Sequence, residues 1–417
     1  MVFGIVAVSI ALMLIRPRGI AEAWWIGGGA ALLIALRLVP LSTAARAVAE
    51  GADVYLFLIG MMLLAELAKE SGVFDWLSSW AVRSAGGSCT KLLALIYGIG
   101  TLVTIFLSND AAAVVLTPAV LTAVRKAKVM PLPYLFACAL IANAASFVLP
   151  ISNPANLVVF HAGMPALGQW LMYFGIPSVV SIGATYGVLR MFFRRELGMG
   201  VVDCEVRAET LRSEGKLVLG GIALMVAVLM TASSMNRDLG LPTCLAALVV
   251  TAAVCMKSRR NPLPLAREIS WATLLLVAGL FVMVDAVESN GALEMTKRWL
   301  AWAEGLEPAW GAMAVGFAVG IGNNVVNNLP LGLIAGGTLQ AAHAKGLLVH
   351  AMLIGVDLGP NLSVTGSLAT ILWLLALRKE KVDVSFARFL KVGAIAMPAA
   401  LALALGAAIL TSKMWYQ

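Results

Sequence analysis

Charged residues are scarce in this sequence, and their scarcity excludes a soluble protein. Only 12% of the 417 residues are charged, whereas 61% are hydrophobic. About a quarter of the residues of a soluble domain are charged, because its surface faces water. The apolar residues here also form runs of about 20 residues, the length that crosses a bilayer. The sequence therefore predicts a polytopic membrane protein whose solvent is mostly the lipid bilayer.

Residues that hold metals or cofactors are also few. There are five cysteines and three histidines, and the cysteines show no C-x-x-C spacing of a zinc or iron–sulfur site. The sequence has no G-x-x-x-x-G-K-[ST] loop for ATP, and neither an H-E-x-x-H nor a G-x-S-x-G catalytic motif. We predict no cofactor, no metal site, no catalytic residues and no enzyme activity.

The basic residues give a net charge of +8, but their distribution does not indicate a nucleic-acid partner. They lie in short loops between apolar runs, as the positive-inside rule expects. The N-terminal run Val2–Ile15 has no basic residue before it, and the first charge is Arg16. Because a secretory signal peptide begins with basic residues, we predict a retained first transmembrane helix.

The apolar runs predict an all-α fold with ten transmembrane helices in two sets of five. The first set covers residues 2–15, 20–39, 52–68, 133–161 and 168–193. The second set covers residues 216–234, 241–256, 270–289, 347–377 and 388–412. Between the third and fourth helices of each set lies an apolar segment with a polar centre, at 91–123 and at 308–342. We predict that both segments are re-entrant helical hairpins.

The fourth helix of each set is interrupted by proline and glycine, at Pro150–Asn156 in the first and at Asp357–Gly366 in the second. In a membrane such breaks are tolerated only where protein or water supplies backbone partners, so both breaks should face a cavity. The pair Asn109-Asp110 also recurs 218 residues later as Asn327-Asn328. These correspondences predict two inverted repeats, 1–193 and 216–417, joined by a cytoplasmic linker at 194–215.

The distribution of basic residues orients this topology. With the N-terminus outside, 23 of the 30 Lys and Arg residues lie in cytoplasmic loops or the linker. The reverse orientation would reverse this bias, against the positive-inside rule. We therefore predict ten crossings with both termini on the outer face.

Polar residues at membrane depth indicate the functional site. A carboxylate there costs about 2.5–3.5 kcal/mol on insertion scales, so a structure keeps it only with partners or a task. We predict Asp110 and Asp357 as proton-coupling residues. The predicted substrate-binding residues are the amides and hydroxyls around them: Ser108, Asn109, Asn143, Ser146, Asn327, Asn328, Asn361 and Thr365. The alternative is that these residues only cap helix ends, for which Asn, Asp and Ser are preferred.

At these motifs the sequence resembles the bacterial arsenite/antimonite efflux permeases of the ion transporter superfamily. The matching stretches are Asn109–Pro118, Val326–Pro330 and Asp357–Trp373. The resemblance implies export of trivalent arsenic or antimony as the neutral trihydroxide in exchange for protons, which confers metalloid resistance. It also implies a bacterial inner membrane location and optional pairing with a soluble arsenite-stimulated ATPase. One departure is Asn143, where an aspartate is expected; proton coupling then falls to Asp110 and Asp357.

A second interpretation remains open, because the asparagine–aspartate hairpin also resembles those of carboxylate carriers in the same superfamily. Under it, the chain would be an ion-coupled transporter of carboxylates or other anions. Two buried carboxylates, Asp110 and Asp357, beside an anionic substrate would be unfavourable. Their presence favours a neutral or cationic substrate.

Overall fold

The computed structural model describes residues 1–161, 163–205, 209–259 and 261–415. Residues 206–208 of the predicted linker, Arg260 and the last two residues of the predicted second repeat lie outside the described residues. Within the described part the chain is helical throughout, with one isolated antiparallel bridge between Ser88 and Val201. The predicted all-α fold class is thus confirmed.

The helices of the first half are α1 (Val2–Ile15), α2 (Glu22–Ala35), α3 (Leu41–Glu50), α4 (Ala52–Glu70), α5 (Val73–Ser84), α6 (Cys89–Phe106), α7 (Thr117–Lys126), α8 (Leu132–Ala144), α9 (Pro154–Val159) and α10 (Leu167–Phe192). A π-helical segment, Ala111–Leu116, leads into α7. Those of the linker and the second half are α11 (Arg194–Met199), α12 (Ser213–Ser234), α13 (Gly240–Ser258), α14 (Leu263–Glu268), α15 (Trp271–Val287), α16 (Leu293–Glu304), α17 (Pro308–Val326), α18 (Asn328–Ala341), α19 (Leu347–Leu358), α20 (Leu368–Lys379) and α21 (Phe386–Trp415).

The second half repeats the order of the first. In both halves a helix pair with a break, α6–α7 and α17–α18, precedes an interrupted helix, α8–α9 and α19–α20, and then one long helix, α10 and α21. The first interruption begins after Ala144, earlier than the predicted Pro150. The repeated order agrees with two repeats. Their boundaries and their opposite orientation in the bilayer stay predictions.

Seven helices of the described residues are long and apolar enough to cross a membrane, and an eighth follows if α3 and α4, bent by 48°, form one span. Other apolar helices are shorter. Helix α1 has 14 residues, about 21 Å of rise, against a hydrocarbon core of about 30 Å. The chain is therefore a multi-pass membrane protein. The number of ten crossings, which includes these short and interrupted helices, stays a prediction.

The sequence prediction missed the short helices that lie between the apolar runs, such as α3, α5 and α16. In α5, one face buries Val73, Phe74, Ala81 and Val82. An amphipathic stripe of this kind packs one side of a helix on the core and leaves the other polar. Because the mean hydropathy of such helices is low, a search for long apolar runs does not detect them.

The two halves interlock around the centre of the protein. Helix α4 packs against α13, α2 against α15, and α10 against α21. Helix α9 of the first interrupted helix packs against α18, and α20 of the second packs against the π-helical segment before α7. Each hairpin therefore contacts the interrupted helix of the other half. Because of these contacts between the halves, the breaks of both halves lie together at the centre of the protein.

Ion pairs join segments that were predicted on the same membrane face. Three of them connect loops assigned to the cytoplasm: Arg125–Glu380 at 3.5 Å, Lys126–Glu209 at 3.6 Å and Lys128–Asp203 at 3.0 Å. Exposed pairs contribute little to stability, but they show that these loops lie together. The shared face agrees with the predicted topology, and its assignment to the cytoplasm stays a prediction.

Candidate functional site

Four helical segments begin at the centre of the fold, each with a polar cap. The side chains of Ser108, Asn153, Asn327 and Ser367 accept hydrogen bonds from backbone N–H groups of the following turn, at 3.0 to 3.4 Å. Such caps satisfy N–H groups that have no partner within the helix. Capping explains why these residue types occur at the breaks.

The two hairpin breaks also hold unusual backbone conformations. Ser108 has a φ of 151° and Asn327 a φ of 76°, in the region that favours glycine. A residue in such a conformation costs about 1–3 kcal/mol, and strain of this kind concentrates at binding sites and switches. The turns are therefore held in place by their surroundings.

The four segments surround a small central cavity. Its polar lining comes from both hairpins and both interrupted helices: Asn109, Asp110, Asn153, Asn328 and Ser367. The free volume is about 20 Å³, which is room for about one water molecule. Residues of the two hairpin centres thus line one cavity, whose walls are nearly closed in this conformation; that this cavity binds a substrate stays a prediction.

A second cavity, the adjoining cavity, continues from the central one. Both are lined by Asp110, Pro154 and Thr273. The adjoining cavity has a free volume of about 150 Å³ and reaches Glu66 and Glu268. Glu268 is exposed and lies at the end of α14, on the face predicted to be cytoplasmic. The central cavity is therefore approached from this face.

Asp110 is the carboxylate that faces both cavities. It is half-buried, and within the described part of the chain its carboxylate has neither a hydrogen-bond partner nor an ion pair. The residues that line the two cavities include no Lys or Arg among those the structure describes. Asp110 is thus free to accept hydrogen bonds from a bound solute.

Asp357 occupies a different position, behind the wall of the central cavity. It is fully buried and does not line either cavity. The side-chain amide of Asn153 donates a hydrogen bond to its Oδ1, whereas Oδ2 has no hydrogen-bond partner among the described residues. The hydroxyl of Ser146 lies beside this carboxyl. The structure therefore separates the two carboxylates that the sequence predicted to act alike.

Two asparagines connect the halves beside Asp357. Asn143 donates from Nδ2 to Oδ1 of Asn361 at 2.9 Å, and Asn361 donates to the carbonyl of Leu140 at 3.1 Å. Asn143 and Asp357 each stand one residue before the last residue of their helices, α8 and α19. The hydrogen bond between Asn143 and Asn361 thus joins the two interrupted helices.

Most asparagines of the second hairpin serve the backbone. Asn323 donates to the carbonyls of Gly355 and Val356, both at 2.9 Å. Asn327 donates to the carbonyl of Thr365 at 3.2 Å. These bonds satisfy carbonyls that the interruption leaves without helical partners. In this structure these side chains hold the backbone at the helix breaks, which is the structural role that the capping alternative assigns to them.

The predicted site residues therefore fall into two layers. Asn109, Asp110 and Asn328 line the central cavity, and Ser108 with Asp110 lines the adjoining one. The remaining predicted residues lie behind this lining: Asn143, Ser146, Asn327, Asp357, Asn361 and Thr365. Their roles in binding or proton coupling stay predictions.

Sequence reasoning missed two lining residues, Asn153 and Ser367. Each follows a break and begins a helical segment, before Pro154 and before Leu368 respectively. That position, a cap residue ahead of an apolar run, was the available signal. Among the described residues, no group of three His, Cys, Asp or Glu side chains is placed to hold a metal ion.

Comparison with known proteins confirms the resemblance seen in the motifs. Residues 7–356 match the family model CitMHS, described as a citrate transporter. Arsenical pump membrane proteins of Yersinia enterocolitica and of Escherichia coli K12 are each 26% identical, over 94% of this chain and 94% of their own lengths. A putative arsenical pump membrane protein of Bacillus subtilis is 23% identical over 92% of this chain and 93% of its own.

A solved structure supports the fold. The Alcanivorax borkumensis YdaH transporter, whose crystal structure reveals an unusual topology, aligns with a TM-score of 0.59. The alignment covers 90% of this chain and 87% of that chain at 16% sequence identity. At this identity the likeness concerns the fold alone.

Proposed function

The chain belongs to the CitMHS citrate transporter family, and from its similarity to arsenical pump membrane proteins we propose that it exports trivalent arsenite and antimonite. The substrate would be the neutral trihydroxide, and it would leave the cell in exchange for protons, conferring metalloid resistance. The protein is a multi-pass membrane transporter of this family. The substrate and the proton coupling are the proposal.

The charge of the cavities carries this proposal. Asp110, Glu66 and Glu268 line the path to the centre, and no Lys or Arg lines it among the described residues. Two like charges 4 Å apart repel by about 1 kcal/mol in water and about 4 kcal/mol at an effective dielectric constant of 20. Glu66 pairs with Lys69 at 2.7 Å, so a polycarboxylate would meet this repulsion at Asp110 and at Glu268. A neutral trihydroxide would not.

The lining of the central cavity also suits a solute with several hydroxyl groups. The carboxylate of Asp110 accepts hydrogen bonds only, whereas the amides of Asn109 and Asn328 both donate and accept. Each hydroxyl of a trihydroxide can donate one hydrogen bond and accept others. The donors and acceptors of such a solute are therefore matched without any ionic partner.

Transport requires the central cavity to widen. Its free volume of about 20 Å³ holds about one water molecule, which is less than a trihydroxide needs. The adjoining cavity already opens toward the face predicted to be cytoplasmic. In our proposal the substrate enters there, the hairpins and interrupted helices move apart to admit it, and a reciprocal movement opens the outer face.

The energy for export comes, in this proposal, from protons. A neutral solute gains nothing from the membrane potential, so uphill export needs another charge to move. In this proposal Asp110 and Asp357 carry protons between the faces. A protonated carboxyl loses part of its capacity to accept hydrogen bonds, so that proton and substrate compete, as exchange requires.

An alternative function is ion-coupled transport of a carboxylate or another anion. The family description and the helical starts at the cavity favour it, since free N–H groups at helix starts bind anions. Asp110 lies among those starts and opposes an anion. The two proposals differ in whether the substrate carries charge.

The deciding experiment is uptake into everted membrane vesicles. Radiolabelled arsenite, antimonite and citrate would be compared with and without an imposed pH gradient, and with and without sodium. We expect arsenite and antimonite uptake that collapses with the proton gradient. Citrate uptake that excludes arsenite would overturn the proposal in favour of the anion transporter.

The remaining elements of the proposal concern location and partners. We propose a bacterial inner membrane protein with both termini outside, without enzyme activity of its own. Pairing with a soluble arsenite-stimulated ATPase is proposed as optional. Co-purification of such an ATPase from detergent extracts, with and without arsenite, tests the pairing.

A further inference from the structure

Asn153 is the residue that touches both the central cavity and Asp357. Its side chain lines the cavity, while its amide nitrogen donates to Oδ1 of Asp357. Its amide oxygen accepts from the N–H of Ala155 at 3.0 Å and caps α9. Any change in the hydrogen bonding of Asp357 therefore acts on a residue of the cavity wall.

The hydrogen-bond network around Asp357 lacks one partner. Oδ2 is buried and has no partner among the described residues. The neighbouring hydroxyl of Ser146 donates its proton to the carbonyl of Asn143 at 2.7 Å, so its oxygen remains able to accept. A proton on Oδ2 of Asp357 would let the carboxyl donate a hydrogen bond to the hydroxyl oxygen of Ser146, so that Oδ2 gains a partner when Asp357 is protonated.

Loss of that proton leaves a buried carboxylate oxygen that needs a new donor. The nearby donors are the second N–H of Asn153 and the hydroxyl of Ser146. Recruiting the first moves the cavity wall. Recruiting the second releases the backbone carbonyl of Asn143, a residue whose side-chain amide donates to Asn361. We propose that Asn153 is a positioning residue that transmits the protonation state of Asp357 to the substrate cavity.

This inference rests on the proposed proton-coupled function and assigns the two carboxylates different tasks. Asp110 contacts the substrate directly, and Asp357 acts through Asn153.

The helices packed against α19 leave Asp357 without a charged neighbour. Helices α8, α9, α17 and α18 carry no Lys, Arg, Asp or Glu, and Arg388, Lys391 and Lys413 lie near the ends of α21. The titratable groups of α8 and α19 are Tyr134, Cys138 and His350.

The chain itself suggests the variant that tests this connection. Ser367 caps α20 at the position that corresponds to Asn153, so serine is an accepted cap at such a break. Asn153→Ser keeps a cap for α9 and removes the donor to Asp357. Asp357→Asn keeps the shape of the carboxyl and supplies a permanent donor and acceptor, as the protonated form does. Each variant is first checked by size-exclusion chromatography in detergent, and Asn153→Thr replaces Asn153→Ser if the latter does not fold.

Proton release on binding is the first measurement. Calorimetric titration of purified protein with sodium arsenite, in buffers of different ionisation enthalpy, gives the protons exchanged per arsenite bound. We expect Asp357→Asn to bind arsenite more weakly than wild type, because it resembles the protonated form. We expect both single variants and the double variant to release the same reduced number of protons. Wild-type proton release by Asn153→Ser overturns the relay. So does loss of arsenite binding at every pH, because it makes Asn153 a direct ligand.

Infrared spectroscopy tests the same connection without a substrate. The carbonyl stretch of protonated Asp357, identified by its absence in Asp357→Asn, should move to higher frequency in Asn153→Ser, because the hydrogen bond to Oδ1 is lost. An unmoved band overturns the relay whatever the substrate. If wild type binds no arsenite but the band moves, the proposed substrate fails and the relay stands.

Discussion

The Nδ2 atom of Asn143 lies 2.9 Å from the Oδ1 atom of Asn361, and this hydrogen bond joins the two interrupted helices at the centre of the fold. Both residues are fully buried. The bond therefore couples the two halves at a point where water cannot replace either partner.

Asn143→Ala should destabilise the protein by leaving Oδ1 of Asn361 buried without a donor. A buried polar group without its partner costs about 1–3 kcal/mol. Thermal unfolding in detergent measures the effect. The double variant Asn143→Ala/Asn361→Ala should lose less than the sum of the single variants, because they remove one shared bond. Gln169→Ala, at an exposed amide side chain, is the control and should change stability by less than about 0.5 kcal/mol; equal effects would contradict the central bond.

Asp110→Asn should weaken arsenite binding. A hydrogen bond to a charged group contributes about 1.5–3 kcal/mol, which corresponds to a loss of about 10- to 100-fold in affinity. Arsenite titration of the purified protein measures this loss. Glu66→Gln is the matched control, because Glu66 lines only the adjoining cavity and its replacement should leave affinity within about threefold. Wild-type affinity in Asp110→Asn would remove Asp110 from the site.

The membrane orientation can be tested with single cysteines. Thr210→Cys, in the linker, should react with a membrane-impermeant thiol reagent only in everted vesicles. Ser289→Cys, after the end of α15, should react only in intact cells. Both positions are exposed, so accessibility is set by the membrane. Labelling of Thr210→Cys from outside would overturn the predicted topology.

Acid should loosen the linker. A hydrogen bond from Lys128, at 3.0 Å, holds the pKa of Asp203 below its ordinary value, assisted by the N–H of Glu205 and by the charge of Lys128. A lowered pKa means that Asp203 contributes stability above the ordinary aspartate range and loses it as pH falls through its folded pKa. Pepsin cleavage within the linker should therefore increase modestly as pH falls through that range.

The matched variant for this prediction is Asp203→Asn, which should remove the pH-dependent part of the increase. Lys345→Ala, on the opposite predicted face, is the control and should leave cleavage unchanged. If Asp203→Asn shows the same dependence on pH as wild type, another group governs the docking of the linker.

Much of the fold could be predicted from local sequence. Apolar runs identified the long helices, and polar residue types with proline identified all four breaks. Helix α1 begins and ends where the hydropathy pattern predicts. The amphipathic helices α3, α5 and α16 escaped detection because their apolar stripe is diluted by polar residues. The start of the first break, after Ala144, was also misplaced, because proline marks the end of that loop and not its beginning.

The sequence by itself determined which residue types stand at the helix breaks: two carboxylates, and Asn and Ser residues. These properties depend on residue type and near neighbours, which the chain order displays. Only the tertiary structure decided that Asp110 faces the cavity while Asp357 lies behind Asn153. The Asn153–Asp357 contact joins residues 204 positions apart, and such a pairing depends on how the helices of both halves pack. The order of residues along the chain does not show which buried donor bonds to which acceptor, because the packing of the helices determines that pairing.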